Sequence, residues 1–234
     1  MAGFGPQKDE GAHPPQGMFM SENVSVSTSD SRLQDYSYLV PDTQVSQVSK
    51  ALSHLGLPLE DPSAHVLSTS GDFDSRGFYY RITRHTSPFL LQYIVIYPQS
   101  FATISDAELE EAIPSHILSS CCSKVFMPSA PAIYASIMRM MLNYPQHSPT
   151  MYQLQSDLSE LIGYHLLGLA RGYVGEDEED EWEVDRRISE AVSLVHSWSL
   201  DGTWREGEDW MGDVLAEVVK TGHIEYLPCK PKES

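Results

Sequence analysis

The most reactive side chains of this sequence belong to three cysteines and nine histidines. His116, Cys121 and Cys122 lie close together along the chain, and Cys229 could join them in space. Structural zinc favours ligand pairs such as Cys-x2-Cys, because that spacing lets both sulfurs reach one tetrahedral ion. Adjacent cysteines lack this spacing. The sequence therefore predicts small buried thiols at a helix end, with no metal ion and no cofactor.

Neither the same cysteines nor the serines and glycines of the chain belong to a recognised catalytic pattern. A cysteine nucleophile needs a neighbouring histidine and an environment that favours the thiolate, and no recognised signature of that kind surrounds Cys121 or Cys122. The chain contains no Gly-x-Ser-x-Gly element and neither of the glycine-rich patterns that hold nucleotide phosphates. We therefore assign no catalytic residue from the sequence.

His165 is the histidine with the most informative position. It lies on the apolar stripe of a predicted helix, among Leu158, Leu161, Ile162 and Leu166. This position predicts a buried, hydrogen-bonded core histidine rather than a functional one. If the chain were a small enzyme with an unfamiliar site, His165 and Cys122 would be the residues to test.

A run of six acidic residues is the strongest charge feature of the sequence. Such a run could bind a basic segment of another protein. It is also typical of a solvated loop that favours the N-terminus of the following helix. Both interpretations stay open here. The residues are Glu176, Asp177, Glu178, Glu179, Asp180 and Glu181.

Three tryptophans and two arginines are further candidates for contact with a partner. The tryptophans recur every six residues around a turn, a spacing that also predicts packing between two helices. The arginines lie on a predicted strand, where they could complement an acidic segment or protect a strand edge from aggregation. These residues are Trp198, Trp204, Trp210, Arg81 and Arg84.

Composition limits the class of partner and the compartment. The formal net charge of −18 disfavours binding to nucleic-acid backbones and to anionic membranes. Three cysteines are too few for a disulfide framework, and no secretory or membrane-spanning segment is recognisable. The sequence thus predicts a protein of the cytoplasm or nucleus that does not bind a membrane. Its expected partner is another protein or a second copy of itself.

The chain divides into a tail and one folded domain. Residues 1–34 are rich in Gly, Pro, Ser and Gln and predict a disordered tail, in which residues 18–20 could be a short docking peptide. Residues 35–234 predict a single α+β domain, with a sheet-containing part over 35–104 and a helical part over 105–234. The sheet is predicted to be small and antiparallel, with three or four strands against about five helices.

Hydrophobic periodicity gives the expected elements. A helix follows Asp42 or Thr43 and ends at Gly56, and strands are predicted over 64–70, 78–85 and 89–97. The strand over 89–97 should be central in the sheet, and the strands over 78–85 and 89–97 should form a hairpin. Ser105 is predicted to cap a helix over 106–113, Pro114 to begin another, and 71–77 to be a loop. Further helices are predicted after Ser129, after Thr150, around 184–195 and over 210–221, with a short strand at 223–227.

These observations favour a non-enzymatic protein-interaction module, an adaptor or a subunit of an intracellular assembly. A small intracellular enzyme with an unrecognised site and a structural subunit of a viral or cellular particle are the alternatives. The acidic run and the apolar helix around Met138 and Met141 are features that partner-binding proteins use.

Overall fold

The computed structural model of the chain describes residues 19–21, 36–61, 71–83, 92–112, 125–169 and 181–231. Most strands precede the long helices, which confirms the predicted α+β class. The strands are β1 (Phe19–Ser21), β2 (Tyr36–Val40), β3 (Leu59–Glu60), β4 (Phe78–Arg81), β5 (Tyr93–Pro98), β6 (Leu109–Ala112) and β7 (Val125–Pro128). The helices are α1 (Val45–His54), α2 (Asp72–Arg76), α3 (Ala130–Met141), α4 (Pro149–Leu161), α5 (Glu181–Leu200) and α6 (Trp210–Thr221).

The strands form one sheet in the order β3-β4-β5-β2-β1-β7-β6. Four of them, β3-β4-β5-β2, make one part, β6 and β7 make a second, and β1 lies between β2 and β7. The sheet is mixed rather than antiparallel as predicted, because β2 runs parallel to β5 and β1 runs parallel to β7. The strands β6 and β7 lie within the part of the chain predicted to be helical.

β5 is the centre of the four-stranded part. It pairs antiparallel with β4 and parallel with β2. The predicted pairing of the segments 78–85 and 89–97 is therefore confirmed. Val95 and Ile96 point to opposite faces of the sheet, and both are buried. A strand with apolar residues on both faces requires cover on both sides, as the sequence indicated.

Helix α1 covers one face of the sheet. Val48 and Leu52 pack against Val40, Tyr80 and Ile96, and the Tyr80 hydroxyl donates a hydrogen bond to Ser49 Oγ at 2.6 Å. The helix ends as predicted at Gly56, whose φ of +78° suits a residue without Cβ.

The opposite face is covered by residues 99–108 and by α2. Residues 71–77 were expected to form a loop, and this prediction is wrong, because they contain a short helix. The reason is Phe73, whose ring meets Phe101 at 5.3 Å and Tyr97 at 6.4 Å between ring centres. Phe73 also packs against the helical core, so α2 joins the two layers.

The helical core is built around α3, which is buried on nearly every side, as its sequence predicted. Helix α4 begins with Ser148 as its cap rather than Thr150, whose hydroxyl instead accepts a hydrogen bond from the Asp72 backbone N–H at 2.9 Å. Helices α5 and α6 complete the layer. The largest fully buried side chains of this core are Tyr134, Met141, Met151, Leu154, Leu158, Met211, Leu215 and Val195.

Two further predictions are wrong. Ser105 does not begin a helix over 106–113, because the capping box that it forms with Glu108 supports only a 3-10 turn, after which the chain enters β6. Residues 223–227 contain a 3-10 turn, Ile224–Tyr226, instead of a strand. The helix predicted after Pro114 and the strand predicted over 64–70 lie outside the described residues.

A buried ion cluster connects the turn before β6 to the helices. The Arg139 side chain is only 8% exposed and donates to Glu108 Oε1 and Glu208 Oε1, each at 2.7 Å. Glu108 also accepts a hydrogen bond from Arg205. Burial works against the ionisation of Glu108, but hydrogen bonds from Arg205, the Ser105 backbone and Arg139 outweigh it and lower its pKa to about 2. No pattern in the sequence predicted this cluster.

Three residues of the predicted tail, Phe19–Ser21, form β1 and pair with β2 and β7. The rest of residues 1–34 lies outside the described residues, so disorder of the tail stays a prediction.

None of the helices in the described ranges is long and apolar enough to cross a membrane.

Candidate partner-binding surface on helix α5

Helix α5 has a buried half and an outer half. Ala191, Val195 and Trp198 are buried against the helical core. No residue from 182 to 190 is buried. We call residues 182–190 the outer half of α5. It belongs to a regular helix, and most of its residues are exposed.

The outer half carries apolar side chains into solvent. Trp182 is 64% exposed, although tryptophan is among the largest apolar side chains. Val184 lies on the same stripe as Ile188 and Ala191, four and seven residues later. Ile188 packs against the core, whereas Val184, one turn earlier, is 37% exposed. The apolar stripe of α5 therefore continues beyond the core that it covers.

Ion pairs within the helix support the outer half. Arg186 contacts Glu183 at 2.6 Å and Glu190 at 2.6 Å, and Arg187 lies 3.6 Å from Glu183. The hydrogen bond from Arg186 lowers the pKa of Glu183. Pairs spaced three and four residues apart stabilise helices modestly, even where no packing does so. They account for a helix that extends beyond its core.

The acidic run lies immediately before this half. Glu176, Asp177, Glu178, Glu179 and Asp180 lie outside the described residues. Glu181 is the first residue of α5. Across 176–190 the sequence has nine acids and two arginines. The run and the exposed Trp182 are thus neighbours along the chain.

The three tryptophans singled out from the sequence occupy a different place. Trp198 and Trp204 are buried and meet edge-to-face, with ring centres 6.1 Å apart. Trp204 Nε1 donates to Ser199 Oγ at 2.9 Å, and Trp210 packs half-buried at the start of α6. They hold the junction between α5 and α6 together. This packing explains their six-residue spacing without a partner.

The two arginines singled out lie far along the chain from this surface. Arg81 is at the end of β4 and forms an ion pair with Glu60 of the adjacent β3 at 3.2 Å. Arg84 lies outside the described residues. The structure therefore places Arg81 in a cross-strand pair and does not bring it together with α5 in any described contact.

His165 is exposed, so the prediction of a buried core histidine is wrong in that respect. It is hydrogen-bonded as predicted, with Nδ1 lying 3.2 Å from the Tyr134 hydroxyl. That hydroxyl donates to the Leu161 carbonyl, and the His165 ring stacks on Trp198. The residue sits in a π-helical turn, Ile162–Leu166, that follows α4, so it does not continue the regular α-helix that the sequence predicted.

Of the three cysteines, Cys229 alone lies within the described residues. His116, Cys121 and Cys122 lie outside the described residues. Cys229 is a half-buried free thiol beside His147 and Lys230, in an open cleft of about 320 Å³. In the described ranges, no group of three or more His, Cys, Asp or Glu side chains is arranged to hold a metal ion.

Trp182 is the residue that sequence reasoning missed. A signal was present, since Trp182 lies two residues before Val184 and is therefore off the apolar stripe of the helix. A large aromatic residue off the buried stripe must face either solvent or a partner.

Comparison with protein-family models, curated sequences and solved structures gives no match to this chain.

Proposed function

We propose that this chain is a non-enzymatic protein-interaction module, an adaptor or a subunit of an intracellular assembly, which binds another protein along the outer half of α5. The observation that supports the proposal is the exposure of Trp182 on a helical segment with no buried residue. Tryptophan is enriched among the few residues that supply most of the binding energy of protein interfaces.

The energetic case rests on the area of the Trp182 ring. A tryptophan side chain can bury about 150–250 Å², and burial of apolar area contributes about 25 cal/mol per Å². Covering the exposed part of Trp182 would therefore contribute on the order of 2–4 kcal/mol to binding. Val184 would add to the same apolar strip. This is enough to make Trp182 the main anchor of an interface.

The charge around Trp182 favours a basic partner segment. The preceding acidic run and the acids of the outer half exceed the arginines nearby by seven charges over residues 176–190. Complementary charge at the rim of an interface accelerates association and excludes acidic competitors, whereas the buried apolar anchor supplies most of the affinity. The partner expected here presents an apolar groove bordered by Lys or Arg.

The proposal can be tested with a photo-crosslinking amino acid at position 182 of the full-length chain, expressed in its source cells. The same amino acid at position 200 is the control, because Leu200 is highly exposed and lies at the other end of α5. We expect one protein to be crosslinked from position 182 and not from position 200. That protein, purified, should bind Trp182→Ala at least about tenfold more weakly than wild type.

The matched variant Leu200→Ala should bind like wild type. Raising the salt concentration should weaken the wild-type complex and the Trp182→Ala complex by the same factor, since the variant keeps every charge. Equal affinity of Trp182→Ala and wild type for the crosslinked protein would contradict the proposal, and so would crosslinking of similar proteins from positions 182 and 200.

A further inference from the structure

One side of the outer half of α5 carries a serine as well as Trp182. Ser189 lies seven residues after Trp182, and residues seven apart in an α-helix lie on the same side, about 10 Å apart along its axis. Arg186, four residues after Trp182 and three before Ser189, lies between them on that side. All three residues are exposed. We call this side of the helix the Trp182 face.

Ser189 differs from the other serines of α5 in the bonding of its hydroxyl group. The Ser193 and Ser197 hydroxyls donate to carbonyls of the same helix, at 2.8 and 2.7 Å. Ser199 Oγ accepts the hydrogen bond from a tryptophan side chain at 2.9 Å. Within the described residues, no hydrogen bond holds the Ser189 hydroxyl. Its oxygen is therefore open to an enzyme that approaches from solvent.

Arginines precede Ser189 in a pattern that suits recognition by a kinase. Arg186 and Arg187 stand three and two residues before it and are the single Arg-Arg pair of the sequence. Within residues 172–204 they are also the only Lys or Arg residues. Kinases select substrates by such charge patterns, because carboxylates in the substrate groove bind guanidinium groups strongly. Ser193, four residues later on the same face, has no arginine at these positions.

The packing of the outer half allows it to open locally. A kinase has to enclose Ser189 together with the arginines before it, so this part of the helix must separate from the protein. No residue from 182 to 190 is buried, and Ile188 supplies its packing against the helical core. Segments with few buried contacts open at the lowest cost. The buried residues from Ala191 onwards can stay in place when the outer half opens.

We propose that Ser189 is a phosphorylation site for an arginine-directed serine kinase, and that the phosphate strengthens binding of the basic partner to the Trp182 face. The kinase transfers the γ-phosphoryl group of ATP. The bond from Ser189 Oγ to phosphorus forms, the bond from that phosphorus to the bridging oxygen of ADP breaks, and the hydroxyl proton passes to a carboxylate base of the kinase. The effect on binding rests on the function proposed for the outer half of α5, whereas the modification itself does not.

Phosphorylation changes the charge of the Trp182 face. Residues 182–190 contain three acids and two arginines, so a phosphate of about −2 changes their net charge from −1 to about −3. The phosphate competes for Arg186 with the two glutamates that contact this arginine at 2.6 Å. Asp185, four residues before Ser189, repels the phosphate and offsets part of this attraction. The added negative charge lies beside the apolar anchor, where a groove bordered by Lys or Arg meets it.

The site is tested on the full-length chain with ATP, Mg²⁺ and the purified catalytic subunit of cyclic-AMP-dependent kinase, an arginine-directed serine kinase. Mass spectrometry should place the phosphate on Ser189 and find Ser193, the matched serine, unmodified. Arg186→Gln should lower kcat/KM at least about tenfold, because the kinase loses a charge-assisted contact. If opening of the helix alone decided the rate, this variant would react faster, since its ion pairs are gone.

The chain isolated from its source cells with phosphatase inhibitors should carry the same phosphate. Absence of phosphate from Ser189 in either experiment would overturn the assignment of the site. A rate for Arg186→Gln equal to or above that of wild type would also overturn it, because the arginines would then play no part in recognition.

The effect on binding is measured with the protein crosslinked from position 182. The phosphorylated chain should bind it at least about threefold more tightly than the unphosphorylated chain, and the difference should shrink as the salt concentration rises. Ser189→Ala treated with the kinase is the control and should bind like the unphosphorylated chain. Equal or weaker binding after phosphorylation, while Trp182→Ala still weakens binding, would overturn the regulatory part alone. If Trp182→Ala binds like wild type, the function proposed for α5 fails and the regulatory part fails with it, whereas the kinase experiment still decides the assignment of Ser189.

Discussion

Arg139 is the residue whose burial most constrains this protein. Its guanidinium group lies inside the molecule, between a turn of the sheet half and the loop before α6, and is neutralised there by Glu108 and Glu208. Replacing a whole buried ion pair by apolar groups is often neutral, but removing one partner leaves a buried charge without compensation. Glu108 would keep Arg205 as a partner, whereas Glu208 would lose the pair described for it.

We predict that Arg139→Met lowers the free energy of unfolding by about 3–5 kcal/mol. Methionine keeps most of the side-chain length but none of the charge, so the loss would come from the carboxylates of Glu108 and Glu208. Arg186→Met is the matched control, because Arg186 also contacts two glutamates but is exposed, and its loss should cost much less stability than that of Arg139. Urea unfolding measures both values, and similar losses for the two variants would contradict the assignment.

The pKa of Asp157 is shifted in the opposite direction to that of Glu108. It lies partly buried on α4, where burial raises its pKa to about 6 and the hydrogen bond from Gln153 only partly opposes this effect. The folded chain therefore holds a proton on Asp157 more tightly than the unfolded chain does. The stability associated with this proton is complete below pH 3.8, the ordinary value for the group, and is lost as the pH rises through about 6.

We predict that Asp157→Asn stabilises the protein at pH 7.5 by on the order of 1–2 kcal/mol, less than the full shift implies because the site is partly solvated. Asparagine keeps the acceptor for Gln153 and removes the charge. The gain in Tm, a few degrees for a chain of this size, should vanish near pH 4. Glu217→Gln, which removes an exposed carboxylate on α6, is the control and should give no comparable gain in Tm at pH 7.5. A gain that persists at pH 4 would show that packing rather than charge is responsible.

At the scale of elements, the sequence predicted those whose periodicity and end signals agree. Helix α1 has its apolar residues at helical spacing and a glycine with positive φ after its last turn. β5 is an uninterrupted apolar strand, and α3 is apolar on nearly every side. In these cases the local signal and the tertiary environment favour the same structure.

The elements that were predicted wrongly are those in which a distant contact decides the local structure. Glu108 follows Ser105 as in a helix start, but its carboxylate binds Arg139 and Arg205, and the chain then extends along β7 as β6. Phe73 forms part of α2 because two cores enclose it. A pattern that depends on residues more than twenty positions away leaves no trace in a local window.

The candidate site was predictable in part. The acidic run and the amphipathic pattern of α5 were visible in the sequence. Which half of the helix would be covered was not, because that depends on where the packed neighbour α6 ends. The six-residue spacing of Trp198, Trp204 and Trp210 favoured a helix junction, and two of these residues are indeed buried there. Exposure, which separates Trp182 from the other three, is a property of the assembled fold.

At the scale of the whole molecule, the sheet and the helices are connected by several polar contacts across their boundary. The Ser136 hydroxyl donates to the Ala102 carbonyl, and both Arg139 and Arg205 donate to the Thr103 carbonyl. The Asp72 carboxylate accepts from the Tyr144 hydroxyl at 3.0 Å. Each contact is buried or partly buried. Unfolding of one layer alone would therefore leave several polar groups of the other without partners, at a cost of about 1–3 kcal/mol for each buried group.

We predict that the two layers unfold as one cooperative unit. All four tryptophans lie within residues 182–210, so tryptophan fluorescence reports on the helices alone. Amide protection of Val95 and Ile96 in β5 reports on the sheet. The two signals should give the same urea midpoint, because the contacts across the boundary penalise any state in which only one layer is folded. Loss of β5 protection at a clearly lower urea concentration would contradict this expectation and would mean that residues 35–104 and 105–234 are separate folding units.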